Sequence, residues 1–205
     1  CNGGNTGKIT LNISGGTTPY SFAWSDGPTT QNRINLGAGN YSVTITDNAG
    51  CTKTYSTSIT QSNTLNVSVS AANVSCNNGN NGSITLSVTG GIAPYNYNWG
   101  NNITTQNRAN LIAGNYSVVV TDNAGCTANI NATVTQPTLL SATSSAGNIL
   151  CYAGTTTIAV GASGGNSPYI GAGNFSATAG SYSYTVTDAN GCTATTGISI
   201  SQPSP

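Results

Sequence analysis

The sequence of 205 residues contains no histidine, no methionine and no glutamate, and only four acidic and four basic residues. Without histidine and glutamate, the usual groups for proton transfer and for activating a nucleophile are missing, so we expect neither catalysis nor a cofactor. Zero net charge argues against a nucleic-acid partner, because that binding requires basic residues against phosphates. No stretch reaches the 18 or more apolar residues of a membrane span. These absences leave a structural or binding protein as the expected class.

The cysteines mark an internal repeat of 75 residues. Cys1, Cys76 and Cys151 are evenly spaced, and a second cysteine closes each repeat in the phrase Thr-Asp-x-x-Gly-Cys. A fixed period of this kind indicates one small module used in tandem. Paired cysteines without histidine or a CxxC cluster indicate disulfides in an oxidising, extracellular compartment rather than a metal site. The second cysteines are Cys51, Cys126 and Cys192.

Each module alternates apolar and polar residues in short runs separated by glycine-rich turns. Period-two alternation predicts strands with one face in the core and one in water. Several short strands with regular turns predict an all-β chain of tandem immunoglobulin-like β-sandwiches. In the second repeat the alternating runs are Leu65–Val69, Ser83–Val88, Tyr95–Trp99, Tyr116–Thr121 and Asn129–Val134.

The domain limits follow from a leading strand ahead of the first cysteine and from the Gln-Ser or Gln-Pro that ends each repeat. They predict domains at 1–62, 63–137 and 138–205. The first repeat lacks the leading strand, which suggests a piece of a longer array. The third lacks the tryptophan and is shorter, since 19 residues separate Tyr169 from Asp188 where 27 separate Tyr95 from Asp122. That deletion predicts the loss of an edge hairpin. Short, proline-stiffened joints predict an extended rod.

Two regular disulfide patterns fit the spacing. Pairs between repeats, Cys51–Cys76 and Cys126–Cys151, are as regular as pairs within them. Because the predicted limits enclose two cysteines in each domain, we expect one disulfide per domain. The predicted pairs are Cys1–Cys51, Cys76–Cys126 and Cys151–Cys192.

A longer string of residues resembles the SprB repeat, which is named after a gliding-motility adhesin of Bacteroidetes. In the second repeat the string is Cys76, Gly79, Gly82–Leu86, Gly90-Gly91, Pro94–Trp99, Asn110-Leu111, Ala113–Tyr116, Val120–Asp122, Gly125-Cys126 and Gln136-Pro137. The third repeat departs from it at the tryptophan and the deletion. The resemblance implies type IX secretion, attachment to the outer membrane through other parts of the protein, and display on the bacterial surface. It also implies a role in adhesion or gliding.

Three aspartates, Asp47, Asp122 and Asp188, occupy one equivalent position in each repeat. They are weak calcium candidates, because Ca²⁺ prefers six to eight oxygen ligands with several carboxylates. The alternative is that each aspartate caps a tight turn through its own backbone. We expect the second role and no metal.

Aromatic and basic residues supply the remaining candidates. Tyr95, Tyr97 and Trp99 share one face of a strand, which favours a core position for Trp99 and its equivalent Trp24 over a sugar-stacking platform. Arg33 and Arg108 follow the same polar phrase, Thr-Thr-Gln-Asn. They bind either local carbonyl groups or, as a possible ligand loop, an anionic or glycan partner.

The sequence thus predicts a structural and adhesive segment of a long filamentous surface adhesin, which acts as a spacer and surface-contact element. Its expected partners are neighbouring repeats of the same chain, and possible further ones are surface polysaccharide or other surface proteins. The alternatives are a carbohydrate- or protein-binding module that uses its loops, and the accessory stalk of a secreted enzyme.

Overall fold

Sixteen β-strands and no helix make up the computed structural model, which describes residues 1–205. No helix is therefore present that could cross a membrane. The all-β class predicted from the alternating pattern is confirmed, and each repeat contributes two small sheets. All strand pairs with a defined register are antiparallel.

The second repeat has the most complete set of strands. One sheet has the order β6-β7-β9 and the other the order β8-β10-β11. When the six strands are given the letters of an immunoglobulin domain, A, B, C, E, F and G in chain order, the two sheets are A-B-E and C-F-G. This is the immunoglobulin arrangement without strand D. The strands are β6 (Asn66–Ala72), β7 (Gly82–Thr89), β8 (Asn96–Asn98), β9 (Arg108–Leu111), β10 (Gly114–Thr121) and β11 (Thr127–Val134).

The first repeat has the same arrangement without strand A. Its sheets have the orders β1-β3 and β2-β4-β5, and strand B is short because only three residues of it are paired. Leu36 and Val43 are buried between the sheets. The strands are β1 (Gly7–Ile9), β2 (Ser21–Trp24), β3 (Arg33–Leu36), β4 (Gly39–Thr46) and β5 (Thr52–Ile59).

The third repeat has lost strand C as a regular element. Its sheets have the orders β12-β13-β14 and β15-β16, and a single bridge between Ile170 and Thr187 stands where strand C would pair. The deletion therefore removes an edge strand with the loop behind it, and not a whole hairpin. The strands are β12 (Ser141–Ala146), β13 (Thr156–Ser163), β14 (Gly173–Ala177), β15 (Gly180–Thr187) and β16 (Thr193–Ile200).

Alternate residues from both sheets form the core of the third repeat. Leu140, Ile158, Val160, Ala177 and Val186 are buried in one cluster. Half-buried residues of β15 and β16 pack against it, so the two sheets face each other as a sandwich. Burial of every second side chain is what the alternating sequence predicts.

A tyrosine at the start of each strand F fixes the turn that precedes it. The hydroxyl of Tyr116 donates to the carbonyl oxygen of Ile112 at 2.9 Å, and Tyr41 and Tyr182 make the equivalent bond. This tyrosine corner is a hallmark of immunoglobulin-like sandwiches, as is the tryptophan of strand C.

By contacts, the residues group into two compact units, and the boundary between the units cuts through strands of the middle repeat. One unit comprises Cys1–Val67, Val88–Tyr97 and Val119–Asn129. The other comprises Ser68–Ser87, Asn98–Val118 and Ile130–Pro205. The predicted domain limits at 62/63 and 137/138 stay predictions.

Candidate functional site

The three equivalent aspartates cap the hairpin between strands F and G. Asp122 is 2% exposed, and its Oδ1 accepts N–H bonds from Ala124 and Cys126 at 2.9 and 2.8 Å. Its Oδ2 accepts the N–H of Ile92 at 2.9 Å, which ties the hairpin to the loop between strands B and C. Asp188 makes the same kind of bonds.

These bonds set the protonation state of the aspartates. Burial alone would raise the pKa of Asp122, but the N–H groups of Cys126, Ile92 and Ala124 stabilise the anion more, and the net pKa is lowered. In Asp47 the N–H groups of Thr17 and Cys51 lower the pKa.

The oxygens of each carboxylate accept N–H bonds from its own turn and from the loop between strands B and C, so the capping role is the one that the structure supports. The three calcium candidates are not brought together, and no group of three or more acidic or cysteine side chains could hold a metal ion.

The second glycine of each Gly-Gly pair, such as Gly90-Gly91, makes room for one of these carboxylates. Gly91 has a φ of 61°, and a Cβ placed on it would stand 2.9 Å from Oδ2 of Asp122. At Gly165 the same contact with Asp188 would be 2.5 Å. The Gly-Gly phrase is therefore required by the carboxylate behind it, as well as by the left-handed backbone.

Arg33 lies over aromatic rings of its own repeat. Its two terminal nitrogens donate to both carboxylate oxygens of Asp26 at 2.8 Å, and its guanidinium carbon lies 5.2 Å from the centre of the Trp24 ring. The bond to Arg33 lowers the pKa of Asp26. Trp24 is only 5% exposed beneath this pair, and its indole N–H donates to Thr30.

Arg108 also stacks, at 5.6 Å from the rings of both Trp99 and Tyr116, but it has no acidic partner. Asn101 stands where the first repeat has Asp26. Trp99 is only half-buried, so the burial predicted for both tryptophans is confirmed for Trp24 and wrong for Trp99. A ligand role of Arg33 and Arg108 stays a prediction.

The disulfides correct the predicted pairing. Cys1 is bonded to Cys126 and Cys76 to Cys192, while Cys51 and Cys151 are free and exposed. The predicted pairs Cys1–Cys51, Cys76–Cys126 and Cys151–Cys192 are therefore wrong, as is one disulfide per domain. The first cysteine of one repeat bonds to the second cysteine of the next.

The topology of one sandwich explains why its own cysteines do not meet. The first cysteine lies in the loop between strands A and B, and the second lies in the hairpin between F and G, at the opposite end of strand B. Strand B of the second repeat, β7, has eight residues, which span about 26 Å. A disulfide needs Cα atoms within about 7 Å. In the two bonds that form, the Cα atoms are 5.3 and 5.7 Å apart.

The glutamine that ends each repeat holds the loop of the first cysteine. The side-chain oxygen of Gln136 accepts the N–H of Asn78 at 2.8 Å, and Gln61 accepts that of Gly3 at the same distance. Gln202 accepts the N–H of Ala153. In the sequence, the Gln-Ser or Gln-Pro motif predicted only the end of a repeat. The structure shows that the glutamine side chain also holds the loop of the first cysteine.

The first repeat also carries an open apolar groove of about 620 Å³. It lies between the strand-B segment, residues 9–16, and strand β5, with Trp24, Tyr55 and Cys51 among the lining residues. The sequence patterns did not predict this groove. It lies in the repeat that lacks the leading strand.

Comparison with known proteins bears on the family and the fold. The sequence model of the SprB repeat matches residues 1–29 and 68–104. No curated protein matches the chain in sequence. Similar solved structures include three immunoglobulin domains of titin, I67–I69, at 12% identity and a TM-score of 0.43, covering 98% of this chain and 94% of that one.

Two further similar structures are also built of immunoglobulin domains. Sidekick-1 domains 1–5 are 12% identical, with a TM-score of 0.35 over 96% of this chain and 57% of that one. The amphioxus IgVJ-C2 molecule is 12% identical, with a TM-score of 0.30 over 65% of this chain and 98% of that one. With TM-scores below 0.5, these likenesses support no functional assignment. The family match confirms the resemblance seen in the cysteine, Gly-Gly and Pro-Tyr motifs. This chain is a tandem repeat protein of structural or adhesive type that carries SprB repeat sequence at residues 1–29 and 68–104.

Proposed function

We propose that this chain is a structural and adhesive segment of a long, filamentous bacterial surface adhesin of the gliding-motility type, which acts as a spacer and surface-contact element. The observation that carries the proposal is the staggered disulfide pattern, because each bond joins one repeat to its neighbour. SprB repeats belong to cell-surface proteins, and disulfides are typical of extracellular ones. Attachment to the outer membrane and secretion by the type IX route belong to the same proposal.

The two bonds shorten the path along which tension travels. A pull on both ends passes from Cys1 across to Cys126, back along the chain to Cys76, across to Cys192 and on to Pro205. At about 3.5 Å per extended residue, complete unfolding lengthens this path to roughly 220 Å, against roughly 700 Å for the reduced chain. A spacer built in this way resists extension even after its sheets have opened.

Single-molecule stretching of the chain tests the mechanical part. We expect the full contour length only after reduction, while the Cys51→Ser variant should extend like the unchanged protein. Equal contour lengths before and after reduction would contradict the mechanical role of the two disulfides.

The adhesive part and the rod need separate tests. Beads coated with the chain should bind surface polysaccharide from a gliding bacterium more strongly than beads coated with a titin fragment, and equal binding would leave only the spacer role. The short joints predict a rod in solution. A radius of gyration near roughly 17 Å in small-angle scattering, the value for a compact chain of this length, would contradict it.

A further inference from the structure

Two arginines occupy the same position in the first and second repeats, but only one of them is paired with a carboxylate. Arg33 and Arg108 stand one repeat apart in the sequence. Each guanidinium lies over the tryptophan ring of its own repeat, with 5.2 Å between the guanidinium carbon and the ring centre for Arg33 and 5.6 Å for Arg108. Arg33 forms an ion pair with Asp26, whereas Arg108 has no acidic partner.

The two arginines have the same aromatic support. In both repeats the indole N–H of the tryptophan donates to the carbonyl oxygen of the threonine six residues further on, at 2.8 Å. A tyrosine of strand F forms a second support, because the ring centre of Tyr41 lies 6.0 Å from the guanidinium carbon of Arg33 and that of Tyr116 lies 5.6 Å from that of Arg108. Two aromatic contacts restrict the side chain, so less rotamer freedom is lost when its N–H groups bind an acceptor.

The first repeat shows which acceptor this arrangement takes. The two terminal nitrogens of Arg33 donate to the two carboxylate oxygens of Asp26, each at 2.8 Å. The side chain of Arg33 is 12% exposed and that of Asp26 is 44% exposed, so the carboxylate lies on the solvent side of the arginine. Paired, charge-assisted bonds of this kind are the strong and specific way in which arginine binds a carboxylate. Asp26 therefore marks a position that a carboxylate can reach from solvent.

The second repeat keeps the arginine and its support but replaces the aspartate by a neutral amide. Asn101 is the equivalent of Asp26, and both Asn101 and Asn102 have a left-handed backbone, with φ of 49° and 61°. Both asparagines are exposed, and neither side chain bonds to the half-buried Arg108. The side chain that neutralises the arginine in the first repeat thus has no counterpart here.

The acidic side chains of the chain itself are all engaged elsewhere. Asp26 is paired within the first repeat. The other three accept N–H bonds in their own turns: Asp47, Asp122 and Asp188. A side chain of a second copy is excluded as the partner of Arg108 for the same reason, so the carboxylate belongs to a different molecule.

We propose that Arg108, supported by Trp99 and Tyr116, binds the carboxylate of a uronic acid residue in an acidic polysaccharide. The two carboxylate oxygens accept the N–H bonds of the guanidinium, as those of Asp26 do in the first repeat. The inference rests on the proposed function, since it names the class of polysaccharide that the surface-contact element binds.

The residues around the arginine favour a sugar over an acidic peptide. Asn101, Asn102 and Thr104 are exposed on the loop that precedes Arg108. Their amides and hydroxyl both donate and accept hydrogen bonds, which suits the hydroxyl groups that surround the carboxylate of a uronate. An aspartate or glutamate side chain carries no such hydroxyl groups.

A trimer of galacturonic acid is the probe, and its methyl ester, which has the same sugars with the carboxylates masked, is the matched control ligand. Calorimetric titration of the unchanged chain at low salt should find one trimer per chain. The ester should bind at least about tenfold more weakly, because it cannot accept the charge-assisted pair of bonds. Added salt should weaken binding of the trimer, since the site is partly exposed.

Three variants separate this site from positive charge elsewhere. Arg108→Gln should lower the affinity for the trimer at least about tenfold. Lys8→Gln, which removes an exposed positive charge of the first repeat, should bind like the unchanged chain. Asn101→Asp should weaken binding as Arg108→Gln does, because it places a carboxylate beside the arginine.

The reciprocal change creates a site instead of removing one. Asp26→Asn releases Arg33 and should raise the stoichiometry from one trimer per chain to two, a gain that misfolding cannot produce. Circular dichroism checks that each variant keeps its sheets.

Four results would overturn the inference. Equal binding of trimer and ester, unchanged binding by Arg108→Gln, and a single trimer bound by Asp26→Asn each contradict the arginine site. Equal affinity for the capped peptide Gly-Asp-Gly contradicts the choice of a sugar. If beads coated with Arg108→Gln hold surface polysaccharide as the unchanged chain does, the site is wrong and the adhesive role stands. If the unchanged chain itself does not hold it, the adhesive role fails.

Discussion

Replacing Cys1 by serine removes the bond to Cys126 and should be among the most destabilising single changes in the chain. The bond closes a loop with a sequence separation of 125 residues. In the chain-entropy model, a loop of this length restricts the unfolded chain by about 5 kcal/mol. For a chain of this size, each kcal/mol corresponds to roughly 2–4 °C of melting temperature. The expected loss is therefore roughly 10–20 °C.

The matched control is Cys51→Ser. Cys51 is free and exposed, so its replacement should change stability by less than about 0.5 kcal/mol. The double variant Cys1→Ser/Cys126→Ser should be no less stable than Cys1→Ser, because both changes remove the same bond.

Thermal unfolding followed by circular dichroism, without reductant, measures these differences. A thiol titration of the denatured protein should find two thiols in the unchanged chain. If Cys51→Ser were as destabilising as Cys1→Ser, the cysteines would pair within the repeat. The staggered pattern and the load path derived from it would then be wrong.

Three further predictions concern single side chains. Asp26→Asn should raise iodide quenching of Trp24 towards that of Trp99, because it removes the acid that holds an arginine over the ring; unchanged quenching would refute this. The pKa of Asp122 is lowered from 3.8, so its contribution to stability is complete above that pH and is lost as the pH falls through the lower folded-state value. Asp122→Asn should therefore lose less stability than the unchanged chain on acidification below 3.8, and parallel acid-unfolding curves would contradict it. Tyr116→Phe should cost about 1 kcal/mol in chemical denaturation through the lost hydroxyl bond, and no change would show that the corner is dispensable.

The strands could be predicted from the sequence because one face of each is buried. All five alternating runs of the second repeat overlap observed strands, β6, β7, β8, β10 and β11. Strand β9 was missed, since its four residues contain little alternation: Arg108 and Leu111 are its partly and fully buried ends. Alternation reports burial, and a short strand with two exposed central residues provides almost none.

The burial of the two tryptophan side chains could be predicted only in part. The strand pattern places Trp24 and Trp99 alike, yet only Trp24 is buried. The two sites differ at Asp26, a residue outside the alternating pattern that fixes Arg33 over the ring, where the second repeat has Asn101. A salt bridge between side chains seven residues apart, across a loop, has no periodic signal in the sequence.

The disulfide pattern could have been derived from connectivity, but not from domain limits. Two cysteines of the same repeat are not necessarily close in space, because strand B separates the loop that carries the first cysteine from the hairpin that carries the second. In an antiparallel sandwich, the last strand ends beside the first-cysteine loop, as the clamp of Gln136 on Asn78 shows. The next repeat begins there and presents its Gly-Gly loop and F–G hairpin at that end.

The staggered bond is thus a consequence of how this fold repeats. Cys76 lies at the end of its repeat from which the chain leaves, and Cys192 lies at the end of the next repeat where the chain enters. The Ser75 carbonyl accepts a hydrogen bond from the side-chain amide of Asn190 at 2.9 Å, so the joint is held by polar contacts as well as by sulfur. Any sandwich with cysteines in these two loops bonds to a neighbour or leaves both thiols free. Cys51 and Cys151, whose counterparts in the other repeats are bonded, are free and exposed here.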